Sequence, residues 1–350
     1  LGVGVYKDAE GHTPVMRAVR EAERRLHEEQ NTKAYVGLAG DVGFNAKMTE
    51  LVFGGGADTS RLRAVQAPGG SGAIRMLAEL IKITGTGATV WVPDPTWPNH
   101  MPLMRSATLK TATYPYFDPA TSEIRFDAMI EALKALPAGD IVLLHGCCHN
   151  PTGADLSPDQ WKVVAEVLTD RGLIPFVDIA YQGFGNGLDE DATGLRILAE
   201  RVPELMAAAS CSKNFSVYRD RAGVAFVLGR NTAEADIAHG QLQGAGRTLW
   251  SMPPDHGAAC VRIVLEDEVL AADWRAELEA TRLRMLELRQ GLADALRRKS
   301  NSERFDFIGR QRGMFSRFGL NAEQVKRLRE EHAVYIVGDS RFNVAGLPGD

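Results

Sequence analysis

The chain has 350 residues and a formal net charge of -5, with 45% hydrophobic and 24% charged residues. These proportions are ordinary for a globular protein and exclude a disordered, collagen-like or coiled-coil chain. No block of like charge indicates a nucleic-acid surface or a polybasic membrane anchor, and no apolar stretch approaches the ~20 residues of a bilayer span. The length favours two domains, because a single hydrophobic core stops growing near this size.

The four cysteines, Cys147, Cys148, Cys211 and Cys260, form neither a CxxC pair nor a disulfide-like framework. This pattern favours a reducing compartment and disfavours a zinc site. The sequence begins at Leu1, directly in an apolar run, so we expect it to be part of a longer protein.

Residues 68–72, Pro-Gly-Gly-Ser-Gly, lead into a helical pattern over residues 73–83. Glycines let the backbone approach an anion closely, and the free amides at a helix start attract phosphate. A glycine-rich turn with a purely structural purpose has the same appearance, so the motif alone leaves both interpretations open. It matches neither G-x-G-x-x-G nor the Walker pattern, which disfavours dinucleotide and nucleoside triphosphate ligands.

Short β-rich runs then alternate with helical patterns. Strands are predicted at residues 88–92, 141–144, 173–179, 206–210 and 224–228. Ser157, Pro158 and Gln160 together indicate a helix start with a capping box. Buried strands joined by helices form a parallel sheet, and such a sheet binds its ligands at the carboxyl ends of its strands.

The strand at residues 141–144 ends in the turn HGCCHNPTG, residues 145–153. Its two histidines and two cysteines raise the possibility of a metal site, but adjacent cysteines seldom both reach one ion, so a metal is disfavoured. The amide of Asn150, fixed in place before Pro151, suits a hydrogen-bond donor.

The next strand closes with Asp178, three residues before Tyr181. An aspartate at a strand end can pair with a protonated pyridine nitrogen and keep the ring electron-withdrawing, while a phenol nearby meets a ring oxygen. Each residue also has a structural explanation, a turn cap for Asp178 and a core aromatic for Tyr181.

Lys213 follows the strand at residues 206–210, within the segment SCSKNF. Its neighbours are small hydroxyl residues rather than charged ones, and burying a lysine without a task is costly. Such a lysine loses its proton readily and forms a Schiff base with a carbonyl. The alternative is a lysine that extends from a strand end to solvent. Beyond residue 270, a long charged helix at 274–298 and a mixed segment at 305–344 predict a smaller α+β domain.

Taken together and in this order, these motifs resemble the class I aminotransferases, specifically the aspartate and aromatic amino acid aminotransferases. The resemblance covers nearly the whole chain: Leu1-Gly2-Val3-Gly4-Val5-Tyr6, DPTWPNH at 94–100, CCHNPTG at 147–153, DIAYQGF at 178–184, SCSKNF at 210–215 and NVAG at 343–346. It implies the type I fold of pyridoxal-phosphate-dependent transferases. In that α/β fold a three-layer large domain with a mainly parallel sheet spans residues 13–280, and a smaller α+β domain takes residues 1–12 and 281–350.

The resemblance also assigns roles around pyridoxal 5'-phosphate. Lys213 becomes the Schiff-base lysine and the base that moves protons, and Asp178 binds the pyridine nitrogen with His100 behind it. The remaining cofactor residues are Tyr181 and Asn150 at the phenolic oxygen, Trp97 stacked on the ring, and Gly70, Ser71, Ser210, Arg221 and a Tyr35 from the partner subunit at the phosphate.

For the substrate, the resemblance places Arg341 at the α-carboxylate, Arg247 from the partner subunit at the distal carboxylate, and Gly4, Trp97 and Asn150 beside it. The implied reaction moves the amino group of L-aspartate or an aromatic L-amino acid to 2-oxoglutarate in a cytoplasmic homodimer that binds no metal, nucleic acid or membrane. Met252 stands where aspartate enzymes often carry asparagine, which is compatible with acceptance of both kinds of donor.

Two alternatives stay open at this point. One is a pyridoxal-phosphate-dependent lyase on the same scaffold, and the other is a non-catalytic homologue that binds the cofactor. Arg247 argues against the lyase, and the complete set of Lys213, Asp178, Tyr181 and both arginines argues against a non-catalytic homologue.

Overall fold

The computed structural model describes residues 1–2, 4–55 and 57–347. Val3, in the first motif, and residues 348–350, at the end of the predicted small domain, lie outside this part. The strands, in chain order, are β1 (Leu62–Pro68), β2 (Thr89–Asp94), β3 (Lys110–Pro115), β4 (Phe117–Asp118), β5 (Glu123–Ile124), β6 (Ile141–His145), β7 (Ile174–Ile179), β8 (Leu205–Ser210), β9 (Ala222–Leu228), β10 (Phe315–Arg317) and β11 (Arg341–Asn343).

Seven of these strands form the central sheet, in the order β1-β9-β8-β7-β6-β2-β3. Strand β9 is antiparallel to both of its neighbours, and the other pairs are parallel. The mainly parallel sheet predicted from the sequence is therefore confirmed. The five predicted strands correspond to β2, β6, β7, β8 and β9. The edge strands β1 and β3 were missed, because half-buried or exposed charged residues such as Arg63 and Lys110 interrupt their apolar runs.

Helices cover both faces of the sheet. They are α1 (Arg17–Glu29), α2 (Val42–Phe53), α3 (Gly69–Thr84), α4 (His100–Ser106), α5 (Phe126–Lys134), α6 (Pro158–Arg171), α7 (Thr193–Arg201), α8 (Thr232–Trp250), α9 (His256–Glu266), α10 (Glu268–Ser300), α11 (Phe307–Arg310) and α12 (Ala322–His332). Successive residues of β7 point to opposite faces, so Phe176 packs with α3 and α8 while Val177 packs with α6 and α9. The result is three layers with an apolar core on each side of the sheet.

Two helix starts show how the local sequence sets the structure. At α6, the Ser157 hydroxyl accepts from the Gln160 amide and the Gln160 side chain accepts from the Ser157 amide, so the predicted capping box is confirmed. Helix α3 begins at Gly69, four residues before the apolar pattern that predicted it. Its glycines form the first turn, because backbone hydrogen bonding does not need the apolar periodicity that marks the rest of the helix.

The chain after the sheet is dominated by α10, a helix of 33 residues. A third apolar cluster, around Ala293, Ile308 and Phe342, joins α10 to α11 and to the antiparallel pair β10–β11. Within the described ranges, none of the helices combines the length and apolarity required to cross a bilayer.

Candidate active site

A cavity of about 270 Å³ opens at the carboxyl edge of the parallel strands. Asp178 and Ser210 stand at the ends of β7 and β8, and parallel strands place such ends along one edge. Because β9 runs the other way, its start brings Arg221 to the same edge. The topology thus gathers residues that are distant in sequence.

Eleven of the thirteen residues predicted to bind cofactor or substrate line this cavity: Gly4, Gly70, Ser71, Trp97, Asn150, Asp178, Tyr181, Ser210, Lys213, Arg221 and Arg341. The other two, Tyr35 and Arg247, do not line it; Tyr35 is 88% exposed and Arg247 is also exposed. Ile74, His145, Cys147, Ala180, Ser212 and Phe315 line the cavity without having been predicted as site residues.

One end of the cavity is suited to an anion. No side chain caps the start of α3, so amides of its first turn face this end. The guanidinium of Arg221 lies against Gly69, where a Cβ would come within 2.5 Å of Arg221 Nη2. Arg221 is held by Ser212 Oγ at 3.3 Å and by the Tyr218 carbonyl at 3.2 Å. A helix start with an adjacent guanidinium favours a phosphate.

Lys213 sits on a tight turn that α10 supports. The ring of Phe215 stacks on Trp274 with centroids 4.3 Å apart, and Trp274 Nε1 donates to the Asn214 carbonyl at 2.7 Å. This packing fixes both residues after the lysine. The Lys213 Nζ then lies 4.8 Å from the ring centroid of Tyr181.

The environment of Lys213 favours its neutral form relative to a solvated lysine. Burial of the side chain lowers the pKa of Lys213, and the positive charge of Arg221 lowers it further, while the charge of Asp178 acts in the opposite direction. A lysine with a lowered pKa is a better nucleophile toward carbonyls near neutral pH.

Asp178 is held in its ionised form by a chain of polar groups. Its Oδ2 lies 3.0 Å from His100 Nε2, His100 Nδ1 lies 2.7 Å from Thr96 Oγ1, and Thr96 Oγ1 lies 3.0 Å from His145 Nε2. Burial raises the pKa of Asp178, but the His100 hydrogen bond and the electrostatic interactions with His100 and Lys213 together bring it below its ordinary value. Burial, reinforced by His100, lowers the pKa of His145 to about 3, so His145 is neutral.

Another part of the cavity lining is formed by Arg341 and its neighbours. Arg341 Nη1 donates to Asn150 Oδ1 at 3.1 Å, and its guanidinium carbon lies 4.7 Å from the ring centroid of Phe315. Its Nε is buried and has no hydrogen-bond partner among the described residues. The Arg341 side chain lines the cavity, where a guanidinium can donate to an anionic ligand such as a carboxylate.

The sulfur atoms of Cys147 and Cys148 and a carboxylate oxygen of Asp191 lie within 4.8 Å of one another. Asp191 already accepts backbone amides of three residues, Gly183, Gly185 and Asn186. The hydrogen bond with Cys148, followed by burial, raises the pKa of the Cys147 thiol, which opposes the thiolate that a metal needs. The absence of a metal stays a prediction.

Thr96, His145 and Phe315 were not identified from the sequence. Thr96 and His100 are four residues apart around one turn, a spacing that could have indicated their contact. His145 stands in the recognised turn but was weighed only as a metal ligand. Phe315 carries no chemical group that a motif could single out, so only the fold reveals it.

The fold and the cavity define an α/β enzyme whose cavity combines an anion site, an amine nucleophile and a second guanidinium. The sequence pattern of aminotransferase class I and II matches residues 1–350. An aromatic-amino-acid aminotransferase of Paracoccus denitrificans is 50% identical over 99% of this chain and 88% of its own length. An aspartate aminotransferase of Escherichia coli is 43% identical over 100% of this chain and 89% of its own length.

Solved structures agree with this. An aromatic-amino-acid aminotransferase from Burkholderia pseudomallei, covalently bound to pyridoxal phosphate, superposes with a TM-score of 0.97 at 40% identity, covering 100% of this chain and 88% of that one. An aspartate aminotransferase from the cytoplasm of Saccharomyces cerevisiae superposes with a TM-score of 0.96 at 33% identity, covering 100% of this chain and 88% of that one. The chain belongs to the class I and II aminotransferase family.

Proposed function

We propose that this protein is a pyridoxal-phosphate-dependent transaminase that moves the amino group of L-aspartate or an aromatic L-amino acid to 2-oxoglutarate. The observation that carries this proposal is the meeting of Lys213, Asp178 and the uncapped start of α3 in one cavity. The relatives named for aromatic and for aspartate substrates support both kinds of donor.

The residues of the cavity fit pyridoxal phosphate. When bound, this cofactor supplies an aldehyde that condenses with amines and a pyridine ring that withdraws electrons from the substrate's α-carbon. Amides of Gly70 and Ser71, the Ser210 hydroxyl and the Arg221 guanidinium would hold its phosphate. Trp97, whose ring is edge-on to His100 with centroids 5.2 Å apart, would pack against the cofactor ring.

Lys213 and Asp178 divide the chemical work. Asp178, whose lowered pKa keeps it ionised, would accept a hydrogen bond from the pyridine nitrogen and keep that nitrogen protonated. Lys213 would hold the cofactor through its side-chain amine, and the same amine in its neutral form would move the proton of the substrate's α-carbon. Tyr181 and Asn150 would donate to the phenolic oxygen, and Asn150 would use its Nδ2, since its Oδ1 accepts from Arg341.

Arg341 binds the α-carboxylate of every substrate, because its guanidinium lines the cavity beside the Phe315 ring and presents paired donors that fit a carboxylate. Gly4 closes this side: a Cβ there would lie 3.4 Å from the Phe315 ring. The Arg341 guanidinium, held beside the Phe315 ring, therefore selects amino acids with a free carboxylate.

We further propose a cytoplasmic homodimer in which the Tyr35 and Arg247 of each subunit complete the partner's site. Residues 35–42 expose Tyr35, Val36, Leu38 and Val42, an apolar patch of the kind found at protein interfaces. Met252 Sδ lies 3.2 Å from the Val36 amide, which brings the patch next to the end of α8, where Arg247 is exposed. All four cysteines are free, which suits a reducing compartment.

The division of the chain into a large domain at 13–280 and a small domain at 1–12 and 281–350 is likewise a proposal. Helix α10 crosses the boundary at residue 280 without a break, so the two domains share this helix.

The experiment is a half-reaction. Holoprotein given L-aspartate or L-phenylalanine without an acceptor should convert to its pyridoxamine form, seen as a change in cofactor absorbance. Borohydride reduction of untreated holoprotein should leave a stable adduct on the peptide that contains Lys213. Lys213→Ala is the control for both readouts. Conversion without an adduct on Lys213, or an adduct without conversion, would contradict the proposal.

A further inference from the structure

Arg289, in the middle of α10, is a fully buried cation, and its hydrogen-bond partners among the described residues are all neutral. Within the described ranges its guanidinium makes six hydrogen bonds, to four backbone carbonyls and one hydroxyl. The acceptors are Ile308 O (3.1 Å), Arg312 O (3.0 Å), Gly313 O (3.0 and 2.7 Å), Phe315 O (2.7 Å) and Ser316 Oγ (2.7 Å).

Burial of this charge is unfavourable and lowers the pKa of Arg289 to about 10, which still leaves the side chain protonated near neutral pH. Its donors all turn to one short stretch of backbone, residues 308–316. A planar fork of donors fixes several carbonyls at once, which a lysine ammonium cannot do. Arg289 therefore fixes the backbone conformation of residues 308–316.

This stretch carries Phe315 into the cavity. The Phe315 ring lies under the Arg341 guanidinium at 4.7 Å and edge-on to the Tyr181 ring at 6.3 Å. The stretch is also fitted closely to the turn that bears Asn150: the Arg312 amide donates to the Gly153 carbonyl at 2.8 Å, and a Cβ on Gly153 would lie 2.5 Å from the Phe315 carbonyl. Arg341 contacts both Phe315 and Asn150.

We propose that Arg289 is a positioning residue for substrate carboxylates: it sets the 308–316 backbone, and through the Phe315 ring it fixes the Arg341 guanidinium. This proposal rests on the proposed function, in which Arg341 binds the α-carboxylate. Arg289 itself touches no substrate, because its donors are used within the protein.

The test compares ligands that carry a carboxylate with an amine that lacks one, and so separates carboxylate binding from a general loss of activity. In holoenzyme, Arg289→Lys keeps the charge and loses the fork, so the Kd of 3-phenylpropionate and the KM of L-phenylalanine should both rise at least about tenfold. The half-reaction rate with 2-phenylethylamine, which lacks the carboxylate, should stay within about twofold of the wild-type rate. Arg297→Lys, an exposed arginine on the same helix, is the matched control and should change none of these values.

An equal loss with 2-phenylethylamine would show that Arg289 only stabilises the fold and would overturn the proposal. If Arg289→Lys does not fold, Phe315→Leu serves instead, because it keeps Arg289 and removes the ring. This variant should weaken the binding of 3-phenylpropionate to a similar extent. Unchanged binding would overturn the proposal. If the wild type binds 3-phenylpropionate in an Arg289-dependent way but converts no amino acid, the proposed function fails while the positioning role stands.

Discussion

At the scale of single residues, the site depends on two groups whose pKa values are moved in useful directions. The pKa of Lys213 is lowered by burial and by Arg221; burial raises the pKa of Asp178, but His100 helps to bring it below its ordinary value. Near neutral pH the site thereby combines a readily deprotonated amine with an ionised carboxylate. Neither state is common for a buried side chain without such neighbours.

The first prediction concerns His100. A carboxyl group with a lowered folded-state pKa stabilises the fold above its unfolded pKa, and this contribution is lost as pH falls through the folded pKa. His100→Asn removes the main cause of the lowering at Asp178. We therefore expect the acid limb of the kcat/KM profile to move up by about one pH unit. The apoprotein should also lose stability at a higher pH on acid titration.

An exposed histidine provides the comparison: His332→Asn, at the end of α12, should leave both pH profiles unchanged. An unmoved acid limb in His100→Asn would mean that Asp178 does not depend on His100 for its ionisation.

At the scale of elements, the contact between α3 and β9 shapes the anion site. Gly223 of β9 lies between Ala67 and Ser210 in the sheet, and a Cβ there would come within 2.5 Å of the Gly69 backbone carbon. Backbone cannot yield as a flexible side chain can, so a larger residue must push the first turn of α3 away from Arg221.

The second prediction follows from this contact. Gly223→Ala should weaken pyridoxal phosphate binding to the apoprotein by about tenfold or more, because the helix amides and Arg221 no longer converge on one phosphate. A cofactor titration followed by absorbance measures the change. Unchanged cofactor affinity would show that the first turn tolerates displacement.

The third prediction is its matched control, the same substitution on an open helix surface. Gly291 is exposed on α10, and a Cβ added there would meet no atom within 4 Å. Gly291→Ala should stabilise the protein by up to ~1 kcal/mol through helix propensity, measured by urea unfolding, and leave cofactor affinity unchanged. A destabilised Gly291→Ala would indicate a packing role for this face.

Elements differ in how well the sequence predicts them. The start of α6 was predicted because capping uses local residues, Ser157 with Gln160. The start of α3 was placed late and β1 and β3 were missed, because glycine turns and edge strands lack an apolar period. Arg289 gave no signal, since an arginine on a long charged helix looks solvated until the fold buries it.

At the scale of the whole molecule, the two predicted site residues that lie outside the cavity are more informative than the eleven inside it. Tyr35 belongs to the exposed apolar patch and Arg247 is also exposed, whereas Arg341 and Lys213 line the cavity of the same chain. If Arg247 acts at the distal carboxylate, it must come from a second subunit. A single chain then holds an incomplete site for L-aspartate.

The fourth prediction tests this by mixing subunits. Lys213→Ala and Arg247→Ala homodimers should each be inactive toward L-aspartate, but a hybrid has one site with both residues, since each is supplied by a different chain. Equal mixing with full exchange should restore about a quarter of the wild-type activity, because half of the dimers are hybrids and one site in each is complete.

Mixing Lys213→Ala with Arg341→Ala is the matched control: both residues line the cavity of one chain, so every hybrid site lacks one of them and activity should not return. No recovery of activity in the Arg247 mixture would place Arg247 within its own subunit's site. Recovery in the control mixture would mean that Lys213 and Arg341 serve different sites. Either result would contradict the shared active site.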